Sequence, residues 1–257
     1  SEIVDAILEN DFELYYQPQV NYSGRVIGAE ALIRWNHAEK GLISPADFIP
    51  LAEENNSIID LGNWVIQQGC AQLQQWKKNP LLANLTLSVN VSAKQFHQEN
   101  FVKSVMQIIE TCGEPLENLK MELTESLDQL DIEGNVIKMK ALRLAGISLS
   151  LDDFGTGFSS LSCLSKLPLN QLKIDQSFVK DISHDESSDI ITKTIIGMAH
   201  NLKMDVIAEG VETQEQRDFL LYNGCKQFQG YLYSKPLPIA QFEKLMQEKN
   251  GTLLALD

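Results

Sequence analysis

The chain has 257 residues, 44% of them hydrophobic, enough to bury a large core, and a single α/β barrel of this length is ordinary. Its 35 acidic against 21 basic residues give a net charge of −14, a field that disfavours a nucleic-acid duplex or an anionic membrane face but leaves room for a small anionic substrate where bound cations invert the local potential. Cys70, Cys112, Cys163 and Cys225 are scattered without CxxC spacing, which speaks against a zinc site or a disulfide framework and fits reduced, mostly buried thiols in a cytoplasmic domain.

In chain order, Glu2 to Leu8 places Ile3, Val4, Ile7 and Leu8 on one helical face. Glu13 to Pro18 reads as a strand ending at its proline, and the turn Asn21-Tyr22-Ser23-Gly24 joins it to the apolar run Val26 to Trp35. So short a link predicts an antiparallel hairpin, because parallel neighbours need a long crossover. Glu30 interrupts that run and is expected to meet Arg34, face solvent at an edge, or bind a cation. Ser44-Pro45-Ala46-Asp47 starts a helix, with a break and restart expected at Pro50 before an end near Glu54. Ile58 to Trp76 repeats apolar residues at helical spacing.

From there strands and helices alternate. Leu85 to Val91, Leu119 to Leu123, Ile147 to Leu151, Gln171 to Ile174, Asp205 to Ala208 and Lys226 to Phe228 read as strands. Phe101 to Thr111, Val136 to Leu144, a short stretch after Ser159, Ile190 to Leu202, Gln214 to Tyr222 and Ile239 to Gln247 read as helices. About eight strands, most alternating with helices, predict a single (β/α)8 barrel of the TIM type whose opening hairpin makes the first strand antiparallel. No apolar run is long enough to span a bilayer, and the chain begins at Ser1 without a methionine. Residues 1–257 are read as one domain taken from a longer chain.

The stretch Leu149 to Ser160 holds Asp152-Asp153 at a strand end, before Gly155 and Gly157. Neighbouring strand residues point to opposite faces, so the strand is expected to end between the two aspartates if both serve one site. Two carboxylates about 4 Å apart repel by roughly 4 kcal/mol at an effective dielectric near 20, which calls for a metal ion or a solvated, spread arrangement. The plain alternative is a polar turn capping a helix.

Polar residues break the apolar strands near their carboxyl ends at Asn90, Glu122, Asp152, Asp153, Lys173, Glu209 and Gln229, and in a barrel those ends form one face. With Glu30 they make a hard oxygen-donor set suited to Mg²⁺ or Mn²⁺ rather than Zn²⁺ or Cu²⁺. Five acidic groups exceed the needs of one octahedral ion. Two ions about 4 Å apart sharing an aspartate would suit phosphoryl-ester hydrolysis, with Lys173 orienting water or stabilising negative charge. Lys173 and Glu209 are placed at the barrel mouth rather than in its packed layers.

Taken in order, Glu30-Ala31-Leu32, Leu87 to Ala93, Glu122-Leu123-Thr124-Glu125-Ser126, Asp152 to Ser160, Lys173-Ile174-Asp175, Ala208 to Glu212 and Gln229-Gly230-Tyr231 resemble the EAL-domain cyclic di-GMP phosphodiesterases across essentially the whole chain. The resemblance implies a barrel that linearises cyclic di-GMP to pGpG with two Mg²⁺ or Mn²⁺ ions. Glu30, Asn90, Glu122 and Asp152 would hold one ion, and Asp152, Asp153 and Glu209 the other. Lys173 would lie at the nucleophilic water, with Glu209 also the general base. Gln17, Leu32, Arg34, Gln229 and Pro236 match substrate-contacting positions. Glu125 would tether the loop from Asp153 to Gly157, and Glu212 and Asp175 would also steady the site's loops. Phe158 stands where tyrosine is also common.

The resemblance further implies a homodimer and a parent chain with sensory or diguanylate-cyclase modules, cytoplasmic here though its parent could be membrane-anchored. Two alternatives remain: a catalytically weak domain acting as a cyclic di-GMP receptor, against which the intact carboxylate set argues, and a barrel hydrolysing another phosphate ester. Asp153-Phe154-Gly155 coincides with a kinase signature, but no glycine-rich phosphate loop or His-Arg-Asp accompanies it.

Overall fold

A computed structural model describes residues 2–113, 117–124, 131–155 and 161–254. Helix α1 (Glu2–Glu9) precedes the long strands β1 (Phe12–Asn21) and β2 (Val26–His37), the short β3 (Gly41–Ile43), and helices α2 (Pro45–Glu54) and α3 (Ile58–Trp76). The alternating part runs through β4 (Thr86–Val91), α4 (Ala93–Phe96), α5 (Phe101–Cys112), β5 (Leu119–Thr124), α6 (Ile132–Leu144), β6 (Ser148–Phe154) and α7 (Leu161–Leu164). It continues with β7 (Gln171–Ile174), α8 (Gln176–Lys180), α9 (Glu186–Asn201), β8 (Asp205–Ala208), α10 (Gln214–Tyr222), β9 (Gln227–Gln229), β10 (Leu237–Pro238) and α11 (Ile239–Glu248).

Strands β2, β4, β5, β6, β7, β8 and β9 pair in parallel in that order, and β1 closes the ring by pairing antiparallel with both β2 and β9. The chain is therefore an eight-stranded α/β barrel with an antiparallel first strand, as the short hairpin link requires. On each strand alternate residues face outward under the helices, where Leu87, Val89, Leu119, Met121, Leu123 and Leu149 have no exposed surface. A separate cluster of Ile3, Phe12, Trp35, Phe48 and Leu61 packs α1 and α2 onto the hairpin.

The inward faces are polar over more than the upper rim. Lys120 Nζ donates to Gln171 Oε1 at 3.0 Å, Ser150 Oγ to the same oxygen at 3.3 Å, and Gln171 Nε2 to Gln227 Oε1 at 2.7 Å. Barrels of this class are usually filled by branched aliphatic layers. Here a polar layer lies beneath the polar mouth.

Four local expectations change. β1 continues through Pro18; away from β2 it pairs with β10 through Tyr15 and Tyr16 and with β9 from Gln19 on, so Pro18 falls in the gap between, where a strand can do without an N–H. Pro50 lies inside an unbroken α2, because Phe48 and Ala52, buried on either side of it, carry the helix past the lost hydrogen bond. Leu8 is 76% exposed, and Ile3 and Ala6 supply the buried side of α1. β6 does not stop between the aspartates but runs on to Phe154.

Candidate active site

The register of β6 explains how adjacent aspartates reach one site. Leu151 pairs with Leu172 and Phe154 with Ile174, so Asp152 and Asp153 stand opposite the single residue Lys173 of β7. That extra residue is a bulge, and Asp153 adopts the left-handed conformation at φ 54° that aspartate tolerates better than most residues. Its N–H donates to Asp152 Oδ1 at 2.9 Å. Oxygens of Asp152, Asp153 and of Glu209, just past β8, then lie within 4.8 Å of one another.

Lys173 sits under this group with no exposed surface. Its ammonium is 2.7 Å from Glu209 Oε1, 3.1 Å from Asp152 Oδ2 and 3.7 Å from Glu30 Oε2, and is hydrogen-bonded to Glu122 Oε2. Lysine is thus enclosed by four carboxylates rather than standing at an open mouth. Glu30 is buried rather than at a solvent-facing edge, and its Oε2 faces the Lys173 ammonium. Amides hold Glu30 in place: Asn90 Nδ2 donates to its Oε1 at 2.8 Å and Gln229 Nε2 to its Oε2 at 2.5 Å. Gln229 also donates to Gln17 Oε1 at 3.0 Å and accepts from Gln19 Nε2 at 2.9 Å, and Gln17 Nε2 donates to the Ser234 carbonyl.

Burial and neighbouring charge raise three of these acids, Glu122, Asp153 and Glu209. Burial pushes the Glu122 carboxyl up to about 7, with Glu30 and Asp152 adding to it and Lys173 opposing. Burial likewise pushes Asp153 up to about 6, helped by Asp152 and Asp175. Glu209 is raised well above the carboxylate range by burial, then by Asp152, Glu30 and Glu122, against the pull of Lys173. Burial alone would lower Lys173, but Glu122, Glu209, Glu30 and Asp152 outweigh it and leave it firmly protonated. Carboxyls raised in this way gain from added positive charge. Glu122 Oε1 is buried with no hydrogen-bond partner, and the donors are hard oxygens, so the residues present fit a divalent cation.

Other expected residues lie around this centre. Leu32 and Asn90 line an apolar cavity of about 280 Å³ with Ile33, Ile49 and Thr124. The half-buried Arg34 guanidinium stacks 5.3 Å from the Tyr15 ring centroid and donates to the Ile33 carbonyl. Pro236 precedes β10, whose Leu237 and Pro238 pair with Tyr16 and Tyr15. Asp175 caps α8, accepting from the Ser177 N–H at 3.0 Å. Glu212 is exposed, its N–H donating to Gln216 Oε1 at 2.8 Å. Glu125, Thr156, Gly157 and Phe158 lie outside the described residues.

Gly230 locks two of these strand ends together. A Cβ there would stand 2.1 Å from the Val211 carbonyl oxygen, so only glycine lets Gln229 and the Glu209 segment approach as they do. Gln19, Ser88, Lys120, Ser150, Gln171 and Gln227 were absent from the sequence reading of the site. Their signal was the period-two alternation, which puts them on the same inward face as Asn90, Glu122, Asp152, Lys173 and Gln229.

A closed barrel with a ring of carboxylates about a buried lysine at the carboxyl ends of its strands defines an α/β-barrel protein with an acidic cluster at that face that could hold a metal ion. The family model of the EAL domain matches residues 1–236, and the chain belongs to that family. It is 37% identical over 241 residues to a bifunctional diguanylate cyclase/cyclic di-GMP phosphodiesterase, MucR, of Pseudomonas aeruginosa, covering 93% of this chain and 35% of that protein. It is 40% identical over 250 residues to the cyclic di-GMP phosphodiesterase NbdA of the same organism, covering 96% of this chain and 31% of that protein. A solved structure described as the PaMucR phosphodiesterase in complex with c-di-GMP superposes with a TM-score of 0.89 at 36% identity, covering 94% of this chain and 100% of that one. The chain spans about a third of the length of these curated relatives. Among the described residues no helix is long and apolar enough to cross a membrane.

Proposed function

We propose that this chain hydrolyses one phosphodiester bond of cyclic di-GMP to give linear pGpG, using two Mg²⁺ or Mn²⁺ ions. The observation that carries the reading is the convergence of Asp152, Asp153 and Glu209 within 4.8 Å, above a lysine ringed by Glu30, Glu122, Asp152 and Glu209. The substrate is supported by the relatives named cyclic di-GMP phosphodiesterases and by the c-di-GMP complex of the similar structure.

Glu30, Asn90, Glu122 and Asp152 would hold one ion, and Asp152, Asp153 and Glu209 the second. Bound there, the ions supply Lewis-acid stabilisation of the phosphoryl oxygens and acidify water. Glu209, besides its share in holding an ion, takes the proton of the attacking water as the water oxygen bonds to phosphorus and the bond to the sugar oxygen breaks, the sugar oxygen taking a proton from solvent to leave as a hydroxyl. Lys173, 2.7 Å from Glu209 Oε1, orients that water and offsets the charge that develops on the phosphoryl group. Arg34 pairs with a substrate phosphate, Gln17 and Gln229 orient the ribose-phosphate ring, and Leu32 and Pro236 give it apolar contact. Asp175, Glu125 and Glu212 steady the loops around the second ion.

A homodimer belongs to the same reading, supported by Ile137 and Leu144, spaced seven apart on α6 and 68% and 90% exposed. So does a longer parent chain with sensory or diguanylate-cyclase modules, supported by the greater length of the relatives.

Chromatography of the products after incubation with cyclic di-GMP and Mn²⁺ tests the proposal. Linear pGpG is expected, and Glu209→Gln should stop its formation. Stoichiometric binding of uncut cyclic di-GMP would favour a receptor instead.

A further inference from the structure

We infer that Lys138 is a positioning residue for the substrate: from α6 it holds the short helix α4 in place as part of the wall of the cavity beside Leu32. This rests on the phosphodiesterase reading, in which Leu32 touches cyclic di-GMP. The cavity of about 280 Å³ is lined by Val91, Ser92 and Gln95, from the end of β4 and from α4, and by Ile49, Glu53 and Gly62 of α2 and α3.

Helix α4 cannot place itself. Its 4 residues are far fewer than an isolated helix needs, although Ser92 caps its start, with Oγ accepting from the Gln95 N–H at 3.1 Å. Its position comes from side chains that tie it to its neighbours. Gln95 Nε2 donates to Asn63 Oδ1 on α3 at 3.1 Å, and the Gln95 amide fills the space at Gly62, where a Cβ would stand 2.1 Å from Gln95 Oε1. Lys94 Nζ donates to Asn56 Oδ1, just past α2, at 3.1 Å.

The tie from outside the cavity lining is Lys138. Its ammonium donates to the carbonyls of Phe96 at 2.8 Å and Gln98 at 2.9 Å, and lies 5.5 Å from the Phe96 ring centroid. Phe96 has no exposed surface, and its carbonyl is one of those that a helix end leaves without an internal partner. One half-buried side chain thus joins α6 to the carboxyl end of α4.

Asn90 does not depend on this tie. β4 is paired with β5 as far as Val91, opposite Leu123, and Asn90 Nδ2 donates to Glu30 Oε1 at 2.8 Å. Loss of the Lys138 donors therefore moves the cavity wall and leaves the proposed ion-holding residue where it is. Contacts made by that wall act alike on bound substrate and transition state, so their loss weakens binding without slowing the chemical step.

Steady-state kinetics with cyclic di-GMP at saturating Mn²⁺, beside calorimetric titration with Mn²⁺ alone, tests this. Lys138→Met keeps the length of the side chain and removes its donors; Lys138→Arg keeps donors and charge. Lys138→Met should raise KM at least about fivefold, with kcat within about twofold of wild type and Mn²⁺ affinity unchanged, while Lys138→Arg restores most of the wild-type KM. Circular dichroism establishes that each variant is folded, with Lys138→Gln read in place of Lys138→Met if the latter is insoluble. A wild-type KM in the folded neutral variant overturns the inference alone, as does the same rise in Lys138→Arg, a matching fall in kcat, or weakened Mn²⁺ binding. A wild-type chain that does not cleave cyclic di-GMP overturns the phosphodiesterase reading and this inference with it.

Discussion

The Lys173 ammonium lies 2.7 Å from the carboxylate of Glu209, just past the end of the neighbouring strand, and no part of the lysine meets solvent. The contact joins a proposed water-orienting group to the proposed base, and it also neutralises part of a carboxylate ring that would otherwise repel itself.

Replacing Lys173 by methionine should therefore cost stability as well as turnover. Removing one partner of a buried charge set costs about 3–5 kcal/mol because the remaining charges are left uncompensated. Urea denaturation in the presence of a chelator should show that loss, and Mn²⁺ should recover part of it. A chelator-treated variant with the wild-type midpoint would show that the ring does not depend on its lysine.

Asp153 separates backbone strain from chemistry. Asp153→Gly and Asp153→Ala both lose the carboxylate and should lose most turnover. At φ 54°, alanine carries a penalty of about 1–2 kcal/mol that glycine escapes, so the alanine variant should unfold at the lower denaturant concentration. Equal midpoints would mean that the bulge relaxes when the aspartate is removed.

Divalent ions should stabilise the fold measurably. At a concentration one hundred times the dissociation constant, a ligand of the native state adds about 2.7 kcal/mol, a rise of about 5 to 10 °C in melting temperature for a chain of this size. Mn²⁺ or Mg²⁺ should produce the rise, and excess chelator should reverse it. Ca²⁺, which prefers more ligands at longer distances, should not support cleavage. Full turnover in chelator would defeat the metal-dependent mechanism.

The cysteines should divide by reactivity. Burial pushes Cys70 and Cys225 up to about 12, so at pH 8 both remain thiols, the unreactive form. Cys112 and Cys163 are only half-buried. Mass spectrometry after brief alkylation should find label at Cys112 and Cys163, and at Cys70 and Cys225 only after denaturant. Early labelling of Cys225 would contradict its enclosure beneath β8 and β9.

Much of this protein is legible in the chain alone. The turn at Asn21 to Gly24 is too short for a crossover, so it dictates an antiparallel opening, and the strand-helix alternation after Thr86 dictates a parallel remainder. α3, β7, β8 and α10 fall on the predicted residues, where the hydrophobic pattern is unbroken and, for α10, the Thr213 capping box marks the start. Glu30, Asn90, Glu122, Asp152, Lys173, Glu209 and Gln229 stand out for a local reason, as polar residues at inward positions of apolar strands.

What the tertiary structure alone decided depends on neighbours distant in sequence. The bulge at Asp152-Asp153 exists only against β7, since a register shift is a property of two strands, and it aims both carboxylates at one place where a strand end had been expected. Pro18 is tolerated because β9 and β10, more than two hundred residues on by number, leave a gap beside it. The enclosure of Lys173 by carboxylates from three other strands and from Glu209, just past a fourth, follows from barrel closure. Charges separated from Lys173 along the chain by 21 to 143 residues acquire their meaning only when the ring of strands closes and excludes water from between them.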